Sequence, residues 1–394
     1  MSLATGRELI VPEADGSLVR YSPEAAPVTP DPDRRPARTR TCFAAAHVVA
    51  DPSATGDPLT EPALDWDATM AYRRHLWSYG LGVADAIDTA QRGGALTWPL
   101  ARELIRRSAA EARTGGGRLA CGAGTDQLDP RTGISLGRIR DAYVEQCELI
   151  EAEGATAVVM ASRELAAAAS GPGDYRAVYD AVLQRAHRPV ILHWLGAVFD
   201  PALAGYWGAE DPADALDSVV GLIADHPERI EGIKVSLLDA GLEVALRERL
   251  PAGVRLYSGD DFNFAELIRG DDQGHSDALL GVFDPIAPVA AAALRALDDG
   301  DLERYDRLLE PTVPLARRMF AAPTGRYKVG VVFLAYLNGH QSHFRMLGGM
   351  EGARTIVHLG EVFRLAAEAG VLTDPERAAR RFRPLLELAG VDQP

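Results

Sequence analysis

Two lysines stand in a chain of 394 residues whose other basic side chains are all arginine: Lys234 and Lys328. Lys234 lies in the largely apolar stretch RIEGIKVSLLD, residues 229–239. Arginine keeps its charge at any pH a protein meets, whereas a lysine taken out of water can lose its proton and attack a carbonyl. The competing reading makes Lys234 a surface residue at a strand end. Other reactive types fall where short apolar runs stop: His47, Asp88 to Arg92, Ser162 and Arg163, His193, Ser258 and Asp260, and Phe283 with Asp284. His193 could shuttle protons near neutral pH, or be a core histidine beside Trp194. Arg92 and Arg163 could each clamp a carboxylate or phosphate with two parallel bonds, or pair with a surface carboxylate. His47, Asp88, His193 and Asp260 carry the donor types of a divalent-metal site, although no His-x-His pair marks the first run.

These residues need elements to position them. The strand candidates are 41–49, 83–88, 118–124, 155–162, 188–194, 230–236, 254–260 and 277–283. Between them, 65–80, 97–112, 137–154, 174–187 and 213–227 repeat apolar residues at i, i+3 and i+4, as helices lying on a sheet do. Thr97, with Pro99 two residues on, reads as a helix start. Eight β–α units over about 240 residues fit a closed (β/α)8 TIM barrel. A doubly wound sheet is the competing architecture, weakened by the lack of a G-x-G-x-x-G after the first strand. Barrel chemistry gathers where strands end, which puts Lys234 near the mouth and favours its functional reading.

Residues 1–38 read as a hairpin around EADGS followed by a Pro-rich arm. The barrel is expected over 39–320 and a helical extension over 321–394. In that extension His340 and His343 of NGHQSHF are three apart, one face if the segment is helical. They suit a metal pair, a capping segment or a subunit contact. Lys328, in TGRYKVG, reads as structural or as a support behind the site.

The net charge of −15 argues against nucleic acid or an anionic membrane as a bulk partner. An apolar fraction of 47% and a charged fraction of 25% are ordinary for a globular chain. Cys42, Cys121 and Cys147 show no C-x-x-C spacing and read as reduced thiols. No apolar run approaches the ~18 residues of a membrane span, and the N-terminus lacks a signal-like apolar region. A cytoplasmic enzyme is expected, without metal or cofactor, acting on a small molecule. The Pro-rich arm and the extra helices suggest a homo-oligomer, a dimer or tetramer.

The motifs resemble a known superfamily. GLGVADAIDTAQRGGALTWPLARELI is similar to the second βα unit of the dihydrodipicolinate synthase / N-acetylneuraminate lyase superfamily, with its Gly-Thr-Thr-Gly-Glu loop. RPVILHWLG stands where that superfamily has a Tyr-Asn segment. EGIKVS resembles its Gly-Ile-Lys strand, and LYSGDD its seventh strand. The likeness covers about 40–320, and the helical C-terminus is also superfamily-like. More narrowly, the chain resembles an uncharacterised dihydrodipicolinate synthase-like subfamily, the domain of unknown function 993.

The resemblance implies a class I aldolase or lyase in which Lys234 forms a Schiff base. Thr89 falls on the first Thr of the loop and is expected to be catalytic with Lys234 and His193. Ala90 replaces the second Thr, Arg92 falls near the Glu, and His193 takes the place of the proton-relay Tyr. These departures put pyruvate specificity in doubt. Asp88, Gln91, Arg92, Ser258, Asp260 and His47 are the expected substrate contacts. Two further classes stay open: a metal-dependent isomerase, hydrolase or lyase using the strand-end His and Asp, and a non-catalytic binding protein.

Overall fold

The computed structural model describes residues 7–129 and 133–394. The chain opens with an antiparallel hairpin, β1 (Leu9–Pro12) and β2 (Leu18–Tyr21). Then come β3 (Cys42–Ala45), β4 (Gly82–Asp85), β5 (Leu119–Ala123), β6 (Thr156–Val159), β7 (Val190–Leu195), β8 (Ile230–Ser236), β9 (Arg255–Ser258) and β10 (Asp277–Leu280). These eight are parallel, pair in sequence order, and close where β10 meets β3. The architecture is the expected (β/α)8 TIM barrel, with the N-terminal hairpin and the C-terminal helices both present. Every expected strand is found, mostly trimmed at its ends.

The helices follow the apolar periodicity and start on side-chain caps. Asp65, Ser135, Asp211 and Asp239 accept from backbone amides of Trp66–Ser78, Leu136–Ala152, Pro212–Asp225 and Ala240–Arg247. Such a cap contributes about 1 kcal/mol. Trp98–Gly115 starts at Thr97, with Pro99 in its first turn. Ser162 and Arg163 do not end a long strand. Ser162 caps a short helix, Arg163–Ala168, that the apolar pattern does not announce.

The described chain forms two compact units. One comprises residues 38–46 and 81–281, and so holds all eight barrel strands. Strand register fixes which side chains face inward. His193 on β7 lies opposite Lys234 on β8, which lies opposite Tyr257 on β9. Tyr257 and Ile191 belong to a buried cluster with Phe43, Ala45, Ala84, Ala120, Val158 and Leu279, one or two from each of seven strands. By period two, Gly232, Lys234 and Ser236 share that inner face. Gly232 is needed there, because a Cβ would lie 2.7 Å from the Tyr257 ring. β8 also carries a register shift: Val190 pairs with Ile230 but Ile191 with Gly232, so Glu231 is skipped. Its carboxylate accepts from the Tyr257 hydroxyl at 2.7 Å.

The other unit comprises residues 1–37, 47–80 and 282–394, with residues 1–6 outside the described range. Its hairpin is fastened to the C-terminus: the Gln393 amide bonds both the N–H and the C=O of Ile10, and Arg364 pairs with Glu13. The segment 338–344 is not helical, since Lys328–Leu337 ends before it. His340 and His343 therefore do not share a helix face. His340 lies edge-on to Tyr72 and tilted against His75 instead, with ring centroids 4.3 Å apart in the histidine pair. Lys328 starts that helix and donates to Gly325 O.

Candidate active site

Lys234 is 6% exposed, on the inner face of a closed barrel. Among the described residues its ammonium forms no ion pair. Burial pulls its pKa down to about 8, against the opposing pull of the Asp261 and Asp88 carboxylates. Asp261 follows β9, and Asp88 opens the turn Asp88–Ala90 after β4. Gly259 presses against the lysine: a Cβ there would lie 2.8 Å from Lys234 Cε and 2.2 Å from Ser236 Oγ.

His193 is 2% exposed. Its Nε2 lies 3.2 Å from Ser236 Oγ, and its Nδ1 is buried without a partner. Burial, reinforced by the neighbouring Lys234, drives its pKa well below the ordinary imidazole value, so the ring is neutral near pH 7. A buried amine, a neutral imidazole and a hydroxyl thus line one face of adjacent strands. The arrangement can attack a carbonyl and serve the oxygen of the adduct.

The loop after β4 carries Asp88, Thr89 and Gln91. Ala86 (φ 50) and Gln91 (φ 65) both adopt left-handed backbone, a strained choice for residues with a Cβ. Arg92 holds this loop in place. Its five N–H donors go to both Asp126 oxygens, Gln146 Oε1, Ala86 O and Gly122 O. Its guanidinium also covers the Trp98 ring. The expectation that Arg92 clamps substrate is therefore corrected, because no donor remains for one. Arg163 is likewise engaged, with Asp200 and Gly93 O.

Ser258 and Asp260 also have other work. Ser258 pairs with Val235, on the face opposite Lys234. Its hydroxyl donates to Glu243, which Ser276 also approaches at 2.7 Å. Asp260 turns inward on its own loop, accepting from the Phe262 and Asn263 amides and from Asn263 Nδ2. His47 belongs to the other compact unit. There Asp284 binds both its Nδ1, at 2.8 Å, and its backbone N–H, while Tyr72 donates to the same carboxylate. Among the described residues, no three His, Cys, Asp or Glu side chains are disposed to hold a metal ion. No helix among them is long and apolar enough to cross a membrane.

Three residues escaped the sequence reading: Asp261, Ser236 and Gly259. Ser236 could have been found, since period two puts it on the face of Lys234. Asp261 could not be told from Asp260 without knowing which carboxylate closes the turn.

Solved structures share this barrel. A putative dihydrodipicolinate synthetase from Pseudomonas aeruginosa matches at 15% identity and TM-score 0.62, covering 83% of this chain and 100% of that one. Dihydrodipicolinate synthase from Thermotoga maritima matches at 14% and TM-score 0.64, covering 85% and 99%. The enzyme from Aquifex aeolicus matches at 14% and TM-score 0.59, covering 90% and 99%. At such identities the likeness shows the fold alone. No curated protein matches the chain. A family model described as "Protein of unknown function (DUF993)" matches residues 9–391, nearly the whole sequence, and the chain belongs to that family.

Proposed function

We propose that this protein is a Schiff-base-forming lyase of the class I aldolase type, acting on a small polar carbonyl compound. One observation carries the reading: a buried amine at Lys234 with a pKa near 8, register-paired with a buried imidazole. At pH 7 roughly one such lysine in ten is unprotonated, against about one in three thousand for an ordinary one. The dihydrodipicolinate synthases among the solved relatives support the reaction class.

In this reading Nζ attacks the carbonyl carbon. A proton passes from the attacking nitrogen to the oxygen; a second proton, taken from solvent, lets water leave and gives an iminium. The iminium accepts the electrons of an adjacent C–C bond as it breaks, while the hydroxyl proton of the departing fragment passes to a base. The enamine then takes up a proton, and hydrolysis frees the amine. Run backward, the same steps form the bond. His193 is the hydrogen-bonding group beside the reacting oxygen, and Thr89 offers a hydroxyl from the adjacent loop.

Of keto acids and keto sugar derivatives, we favour the neutral, hydroxylated class. Ala90 lacks the hydroxyl that would bind a carboxylate, Arg92 has no free donor, and Asp88 and Asp261 add negative charge near the amine. The test is turnover on a panel of ketoses, hydroxyketones and pyruvate. We expect cleavage or condensation of a neutral member, lost in Lys234→Ala. Pyruvate turnover at ordinary efficiency would contradict the substrate class, and full activity in Lys234→Ala would contradict the reaction. We further read the chain as a cytoplasmic homo-oligomer. The exposed Leu18 and Val19 on β2 support association, and a monomer in sedimentation at micromolar concentration would contradict it.

A further inference from the structure

The His193–Ser236 pair raises a question that Lys234 alone does not: which imidazole nitrogen carries the proton. Ser236 is buried, and among the described residues its hydroxyl has one polar partner, His193 Nε2. Gly259 closes its other side at a distance that admits no side chain. His193 Nδ1 is buried with no partner. A buried polar group without a partner is uncommon and calls for an explanation.

The neutral ring has two tautomers. If Nε2 carries the proton and donates to Ser236, the serine proton has no acceptor and the Nδ1 lone pair is also unmet. If the serine hydroxyl donates to Nε2, one group is left unmet, the Nδ1–H. The second arrangement leaves fewer buried groups unsatisfied and is the lower in free energy.

We infer that Ser236 is a positioning residue that holds His193 as the Nδ1–H tautomer, so that a neutral imidazole donates a hydrogen bond to the carbonyl oxygen of a compound attacked by Lys234. The inference rests on the Schiff-base reading and sharpens the part His193 plays in it. As Nζ attacks, charge builds on the carbonyl oxygen, and a fixed neutral donor stabilises that charge. The proton that neutralises the oxygen comes from the attacking nitrogen. Delivery from Nδ1 would pull the serine proton to Nε2 and strand an alkoxide. Ser236 acts only through the ring it orients.

The test is nitrogen-15 NMR of the full-length protein with labelled histidine, the His193 signals being assigned by their loss in His193→Gln. The wild type should show a directly bonded proton on Nδ1 and a bare Nε2. Ser236→Ala should shift the ring toward the other tautomer, and Ser236→Thr should restore it. Borohydride trapping of a hydroxyketone at Lys234 should slow about 10-fold in Ser236→Ala, the worth of one hydrogen bond. A wild-type ring protonated at Nε2 would overturn the inference while leaving the Schiff base intact, and it needs no variant to fold. An unchanged tautomer in Ser236→Ala would also overturn it. Absence of any adduct at Lys234 removes the carbonyl acceptor and overturns both.

Discussion

Lys234 is held where its charge is least welcome. Its folded pKa is depressed from 10.5 to about 8. Stability therefore rises with pH between those values, and the cost of burying the charge is fully present below about 8. Lys234→Met keeps the shape and removes the charge. At pH 7 it should stabilise the fold by up to about 3 kcal/mol, at about 1.4 kcal/mol per pKa unit. The gain should fade as pH passes 10.5, and denaturant titrations at pH 7 and 10.5 read the difference. Equal gains at both would contradict burial as the cause. His193→Phe keeps most of the volume but removes the polar ring, and kcat should fall ~10²–10³-fold in a folded variant, as loss of one donor to the developing oxyanion does. Near-normal kcat would return His193 to a packing role. The sequence made Lys234 and His193 legible through rarity and position. It misassigned Arg92 because a lone arginine at a strand end looks the same whether its donors are free or consumed. Only the folded chain brings Asp126, Gln146 and two carbonyls around it.

At the scale of elements, the loop after β4 depends on that arginine. Arg92→Leu removes five hydrogen bonds and leaves Asp126 without its charged partner. It should cost roughly 3 kcal/mol, as breaking a buried charged network does. Protease cleavage should appear within residues 86–97, and an uncut loop at unchanged stability would contradict the role. The helix Ala240–Arg247 carries a second buried group. Burial raises the Glu243 carboxyl to about 8, with Asp260 adding to the rise and the serine bonds opposing it. The folded state thus holds a proton that the unfolded state releases, so stability falls as pH climbs from about 4.5 to 8. Glu243→Gln should flatten that part of the pH–stability curve. An unchanged slope would show that Glu243 is ionised in the fold. Ser258, expected to touch substrate, serves this carboxyl instead. The face it occupies is set by register, and a one-residue shift would have reversed it.

At the scale of the molecule, the barrel was the most legible feature. Eight apolar runs separated by helical periodicity leave few closed arrangements, and sequence-order pairing with short connections selects one. The fate of NGHQSHF was not legible, because spacing of three signals a helix face only where a helix exists. Whether the barrel uses its lysine can be tested directly. In Lys328→Arg, Lys234 is the only lysine, so borohydride reduction in the presence of a carbonyl panel can mark one side-chain amine. A single adduct is expected, mapped by peptide mass to residues 230–236 and absent when Lys234→Arg is added. An active protein that never forms it would rule out the Schiff base.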